Sequence, residues 1–285
     1  MGIIEKFREA NHVIIGVTFL LFIIGLVGLS SIAIHQDSTI QSSSFLKQTL
    51  FAIPGIILFL ITFSLPKSFY HKVSYWVYGF ILLAVLFPFI GHKIAGTYRW
   101  IDVGPIGIQP SEFAKWIVVI VLARYLSDYN LDLYLFRTLL IPIFVAIIPT
   151  AIILKQPDLG SAIIILSTLI PMIYWARVNP YFIFLLIAPL ISILTAFHTV
   201  SFTIWGIAMI GILYVARPNL IHGVITYFSF LLLGLLSPWI WSLLTPYQQN
   251  RILTLLNPEL DPLGSAYQVI QSQTAIGSGG LFGKG

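Results

Sequence analysis

The chain of 285 residues has no cysteine, so it forms no disulfide and holds no metal through thiolates. It is also poor in charge. Asp, Glu, Lys and Arg together make up 9% of residues, against about 25% in an average soluble domain. That shortage excludes an ordinary water-soluble globule. The formal net charge of +5 is small. In an apolar chain such a balance bears on membrane topology and anionic lipids rather than on nucleic acid. The six histidines are scattered without metal-ligand spacing. What remains is apolar: 58% hydrophobic residues and a mean hydropathy of +0.95 define a polytopic membrane protein.

The apolar runs fall at about 13–34, 45–65, 73–90, 111–127, 137–154, 160–176, 180–197, 202–216 and 222–241. The first is too long for a signal-peptide core and carries no clear cleavage site, so it is read as a retained span. Several of the others are shorter than the usual ~20 residues, 202–216 being the weakest. The expectation is an all-α, polytopic membrane helical bundle of about nine spans, a single transmembrane domain over 1–285 with no internal repeat. With the N-terminus inside, Lys6, Arg8, Lys67, Lys72, Arg124, Arg137, Arg177 and Arg217 are internal, while Lys47, Lys93, Arg99, Lys155, Arg251 and Lys284 are external. The bias is modest, but the inner charges sit in short loops, where the positive-inside rule applies best. Segments 91–110 and 242–285 and the Lys155–Leu159 turn then share the outer side.

One polar stretch interrupts the pattern: GTYRWIDVGPIGIQPSEFAK, residues 96–115. It enters an apolar helix and takes Glu112 and Lys115 with it. A charge inside a span costs roughly 2.5–3.5 kcal/mol on insertion scales, which makes it a functional hypothesis by default. Glu112 and Lys115 are three apart and share a helix face, Pro110 suits a first helical turn, and Glu112 suits the positive helix end. The pair either stabilises the bundle or forms the polar wall of a substrate site. Tyr98-Arg99-Trp100 is either an interfacial anchor or an Arg99 fork onto phosphate with Trp100 packing a chain or sugar.

In KQPDLG (155–160), Asp158 either caps the next helix or supplies a carboxylate opposite Glu112 and Lys115. Asp261-Pro262-Leu263-Gly264 has the residues of a type I turn. The segment from Gln268 to Ile276 mixes Gln, Ser and Thr with Val and Ile, as suits an interfacial or cavity-lining segment. GSGGLFGKG at 277–285 lacks the first glycine and the final Ser or Thr of a phosphate loop, and reads as a flexible loop.

Together GTYRWIDVG (96–104), QPSEFAK (109–115), QPDLG (156–160) and YQQNRILTLLNPELDPLGSAYQVIQSQTAIGSGGLFGKG (247–285) resemble the SEDS family (shape, elongation, division and sporulation), its RodA-like members more than its FtsW-like ones. The resemblance implies a peptidoglycan glycosyltransferase of bacterial cell-wall elongation and cell shape. Such an enzyme polymerises lipid II at the outer face of the cytoplasmic (inner) membrane beside a class B penicillin-binding protein. It implies substrate contacts from Arg99, Trp100, Glu112, Lys115, Asp158, Arg251, Asp261 and Gln268, with Arg99, Lys115 and Arg251 offsetting diphosphate charge. A divalent cation is left open as cofactor. The acidic residue held to be the family's base lies in a further Pro-Glu-x-His-Thr-Asp-Phe type motif that has no counterpart in these residues. The chain is therefore expected to be the N-terminal part of a longer protein, inactive by itself, with no catalytic residue among the residues given. Family members usually place about seven spans before the large outer loop, so the helical pair near 198–241 is a departure. A flippase or transporter of lipid-linked precursor, or a scaffold for the penicillin-binding protein, is the alternative class.

Overall fold

The computed structural model describes residues 3–35, 44–91, 97–103, 106–128, 131–132, 135–264, 266–280 and 283. Contacts divide the chain into two compact units, Met1–Tyr70 with Ile276–Gly285, and His71–Ala275.

In the first unit, α1 (Ile3–Glu9) leads into α2 (His12–His35), which packs on α3 (Ser44–Ser64). Both long helices are apolar all round, and α3 buries no residue. Such surfaces are stable only in lipid. Lys6 ties α1 down: its Nζ donates to the carbonyls of Ser64 (2.6 Å) and Leu65 (3.0 Å), at an α3 C-terminus whose last carbonyls have no intrahelical donors. The Phe7 and Phe63 rings pack beside it, tilted by 42° with centroids 4.6 Å apart.

The second unit holds most of α4 (Lys67–Leu86), then α5 (Pro110–Leu126), α6 (Phe136–Lys155) and α7 (Leu159–Trp175). Val85, Val118, Leu122, Leu139, Ile153 and Ile165 form its buried centre. Helix α6 carries Pro142 and Pro149 in its interior. A proline has no N–H, so the carbonyl four residues earlier loses its donor, and in lipid no water replaces it. Both carbonyls are met from neighbouring helices: Tyr78 of α4 donates to Val145 O at 3.0 Å, and Tyr125 of α5 donates to Thr138 O at 3.0 Å.

Helices α8 (Pro180–Thr195), α9 (Thr199–Ala216) and α10 (Leu220–Leu235) pack on one another around Ala188, Met209 and Phe230. Side-chain hydrogen bonds cross between them, Trp205 Nε1 to Ser192 Oγ at 2.8 Å and Tyr181 with Thr226 at 3.0 Å. Gly234 lets α10 approach, since a Cβ there would lie 2.3 Å from Phe202.

Each of the nine expected spans is helical. Among the described residues, five helices are long and apolar enough by length and composition to cross a membrane, those beginning at His12, Ser44, Lys67, Phe136 and Thr199. Three details differ from the expectation. The segment expected to be weakest is the full-length α9, because the polar start Thr199–Thr203 is also helical. The run 222–241 breaks at Leu236, where Ser237-Pro238 starts a new short helix, α11 (Ser237–Ser242). The residues expected to form a flexible glycine-rich loop are helical through Gly279, as the end of α13 (Tyr267–Gly279). Of the remainder, 281–282 and 284–285 lie outside the described residues. Outside the expected spans the chain also forms a hairpin of β1 (Ile101–Val103) and β2 (Ile106–Ile108), and α12 (Pro246–Leu256), whose start is held by a Thr245–Gln248 capping box.

Candidate functional site

Four elements of the second unit bring backbone termini to one end: α4 its C-terminus, α5 its N-terminus, α6 its C-terminus and α7 its N-terminus. Two Gln-Pro pairs organise it. Pro110 takes the first turn of α5, where its missing N–H costs nothing. Gln156, 2% exposed, follows α6 and sends its Nε2 to Val85 O at 2.6 Å. That carbonyl is in the last turn of α4 and has no intrahelical donor, so one side chain pins the α6–α7 turn to α4.

Asp158 is the N-cap of α7. Its Oδ1 accepts from Ser161 N at 3.2 Å, which satisfies one orphan donor of the helix. Its Oδ2 accepts from Gln109 Nε2 at 3.0 Å, and that nitrogen is also 3.0 Å from Ser111 Oγ. Asp158 is 6% exposed. Gln109 precedes α5, so the start of α5 and the start of α7 are joined by side chains. Two positive helix ends therefore meet around one buried carboxylate.

The hairpin delivers Arg99 to this junction. Ile101 pairs with Ile108 and Val103 with Ile106, so the chain leaves towards Gln109 beside the point where it entered from Trp100. Arg99 Nη2 donates to the carbonyl of Pro157, one residue before Asp158. Its Nε is buried and has no hydrogen-bond partner among the described residues. A buried N–H of a charged group without an acceptor is uncommon and calls for an explanation. Trp100 is 41% exposed beside it, and the Tyr98 ring lies 5.7 Å from that of Phe89.

Glu112 and Lys115 form the ion pair that their spacing predicts, with Nζ–Oε2 at 2.7 Å. Glu112 stands in the first turn of α5. The Lys115 side chain is 19% exposed and that of Glu112 53%, so only the lysine is largely enclosed by protein. The Asp261 carbonyl accepts from Gly264 N at 3.3 Å and from Ala266 N at 3.2 Å, closing the expected turn. The Asp261 carboxylate lies where a Cβ on Gly264 would be, 2.3 Å from it, which explains the glycine. Gln268 is exposed on α13. Arg251 lies on α12, but its side chain is outside the described residues.

The structure thus brings Arg99 beside Asp158 through the Pro157 carbonyl, joins Gln109 to Asp158 by a hydrogen bond, and places Glu112 and Lys115 on the first turns of the same α5. Asp261 follows α12 and Gln268 lies on α13. Gln109, Ser111 and Gln156 were not singled out as site residues. The repeated Gln-Pro at 109–110 and 156–157 was the available signal, since a polar residue before a proline at a membrane helix end has backbone groups to satisfy. Among the described residues no group of three or more His, Asp or Glu is close enough to hold a metal.

The fold and this junction define a multi-pass helical membrane protein with a polar, cation-bearing centre at one end of the bundle. The chain belongs to the FtsW/RodA/SpoVE family of cell cycle proteins, whose family model matches residues 11–205 and 200–285. It is 30% identical to the peptidoglycan glycosyltransferase RodA of Treponema pallidum, over 92% of this chain and 67% of that one. It is 32% identical to stage V sporulation protein E of Bacillus subtilis, over 98% of this chain and 66% of that one. A solved structure of a peptidoglycan synthase complex that coordinates polymerization and crosslinking contains a chain similar to this one. The likeness has a TM-score of 0.54 and 26% identity, and covers 92% of this chain and 65% of that one. The chain therefore spans about two thirds of the length of the relatives it matches.

Proposed function

We propose that this chain is the substrate-holding part of a peptidoglycan glycosyltransferase that polymerises lipid II at the outer face of the bacterial inner membrane. Its N-terminus is then cytoplasmic, and 91–110 and the segment after α11 face outward. The observation that carries the reading is the unpartnered Nε of Arg99 at the junction of two helix N-termini. Such termini bind anions, and a guanidinium forks onto phosphate. A diphosphate leaving group fits this chemistry. The Arg99 Nε approaches one phosphate beside the α5 start, Lys115 adds charge, and Trp100 and Gln268 face the sugar or chain. Arg251 and Asp261 complete the set from the outer segment.

Asp158 acts here by position. Both of its oxygens accept hydrogen bonds, so it orients Gln109 and the α7 start rather than taking the proton of the acceptor hydroxyl. The names of the relatives and the likeness to a synthase-complex chain support the reaction class and a class B penicillin-binding protein as partner.

The test supplies the complete gene product, with such a partner, with fluorescent lipid II. Glycan polymer is expected, and Arg99→Lys should lower it, because a lysine keeps the charge but loses the planar fork. Lipid II translocation without polymer would move the protein to the flippase class. Wild-type polymerisation and lipid II binding in Arg99→Ala would remove Arg99 from the site.

A further inference from the structure

At the other end of α7, about 25 Å from Asp158 at 1.5 Å rise per residue, is a second feature that the proposed reaction does not use. Arg177 follows Ala176, the C-cap of α7, and Arg217 is the C-cap of α9; both arginines adopt left-handed backbone, with φ of 62° and 48°. This is the position after a helix where glycine is the usual residue, because a Cβ is disfavoured there. Two arginines in this conformation trade local comfort for a side chain that glycine does not have. Both are exposed, and neither side chain has a hydrogen-bond or ion-pair partner among the described residues.

An apolar groove lies beside these two helix ends. Helices α8 and α9 are antiparallel, so the start of α8 and the end of α9 lie side by side. A cavity of about 590 Å³ opens there, lined by Pro180, Phe184, Ala208, Gly211, Ile212 and Val215. A second of about 510 Å³ continues past Pro180 to Arg177, beside Tyr174 and Trp175. Trp175 is 87% exposed and Tyr214 77%. Exposed Trp and Tyr at a helix end mark the headgroup level of a bilayer. The groove therefore runs from headgroup depth into the apolar layer, with Arg177 lining its mouth and Arg217 next in the chain to Ala216, which lines it as well.

We propose that this groove binds one anionic glycerophospholipid, an acyl chain lying between α8 and α9 and the headgroup phosphate between Arg177 and Arg217. Charge complementarity selects this occupant. A zwitterionic lipid brings its own cation to the two arginines, and an apolar helix would leave both without an acceptor. Basic pockets between membrane helices hold anionic headgroups by the same physics.

The test uses the complete protein in nonionic detergent and measures its unfolding midpoint with added phosphatidylglycerol, phosphatidylcholine or inorganic phosphate. Phosphatidylglycerol should raise the midpoint, and the other two should not. The double variant Arg177→Gly/Arg217→Gly relieves the left-handed backbone, so it should fold at least as well. It should bind phosphatidylglycerol roughly thirty-fold more weakly, for two lost phosphate-facing charges. Gly211→Leu keeps both charges and fills the groove, where a Cβ meets no atom within 4 Å, and should also abolish the effect. Equal stabilisation by phosphatidylcholine or by inorganic phosphate overturns the proposal. So does a full phosphatidylglycerol response in either variant, or none in the wild type, as when another segment of the protein fills the groove.

Discussion

Tyr78 offers a test of what holds the α4–α6 contact. Pro149 leaves Val145 O without its helical donor, and the Tyr78 hydroxyl replaces it at 3.0 Å. Tyr78→Phe removes that donor and leaves the packing of the ring in place. Interhelical hydrogen bonds in membranes average about 0.6 kcal/mol and reach about 1.7. The upper end applies here, because neither helix nor water offers the carbonyl another donor, so a loss of about 1.5 kcal/mol is expected, roughly tenfold in the folding equilibrium. Pro149→Ala restores the N–H of residue 149 and with it the missing helical bond. In that background Tyr78→Phe should cost little, giving a coupling of about 1 kcal/mol in a double-mutant cycle. The cycle is read from reversible unfolding in mixed detergent micelles. If Tyr78→Phe costs the same with and without Pro149, the hydroxyl is not compensating for the proline and the argument fails.

Three further outcomes follow from the site. Asp158→Asn keeps the N-cap acceptor, and its new N–H can be met by the Gln109 amide oxygen once that amide turns over, so it should fold close to the wild type, whereas Asp158→Ala loses both the cap and the Gln109 contact and should cost about 1–3 kcal/mol of stability. Equal stability of the two would show that the cap is idle. Lys115→Ala should reduce activity far more than Lys47→Ala, because Lys115 is largely enclosed and paired while Lys47 lies at the start of α3. Wild-type activity in both would leave the ion pair without a role. Gly264→Ala should lower folded yield or activity because its Cβ would meet the Asp261 carboxylate, while Gly277→Ala, with no atom within 4 Å, should change neither. A neutral Gly264→Ala would show that the turn can yield.

The amino-acid sequence by itself determined the solvent and the class of fold. Long apolar runs have one stable solution in lipid, a helix that satisfies its own backbone, so the spans were legible by length and composition. Local spacing also sufficed for the Glu112–Lys115 pair, the Asp158 cap and the Asp261–Gly264 turn, because each is closed within a few residues. The tertiary structure alone decided contacts between residues far apart in the chain. Nothing local tells Gln109 that its partner is Asp158, Gln156 that its acceptor is Val85 O, or Arg99 that it will lean on Pro157. Those pairings arise because packing α4, α5, α6 and α7 sets four helix ends side by side, and each end carries backbone groups that its own helix cannot satisfy. The short hairpin at 101–108 was illegible for a related reason. Its two three-residue strands are too brief to show a period, and they pair because the chain must return Arg99 and Gln109 to the same junction. The left-handed arginines at α7 and α9 are likewise a matter of backbone: a sequence shows Arg177 and Arg217 as two loop charges, and only the folded chain shows them in the conformation of glycine.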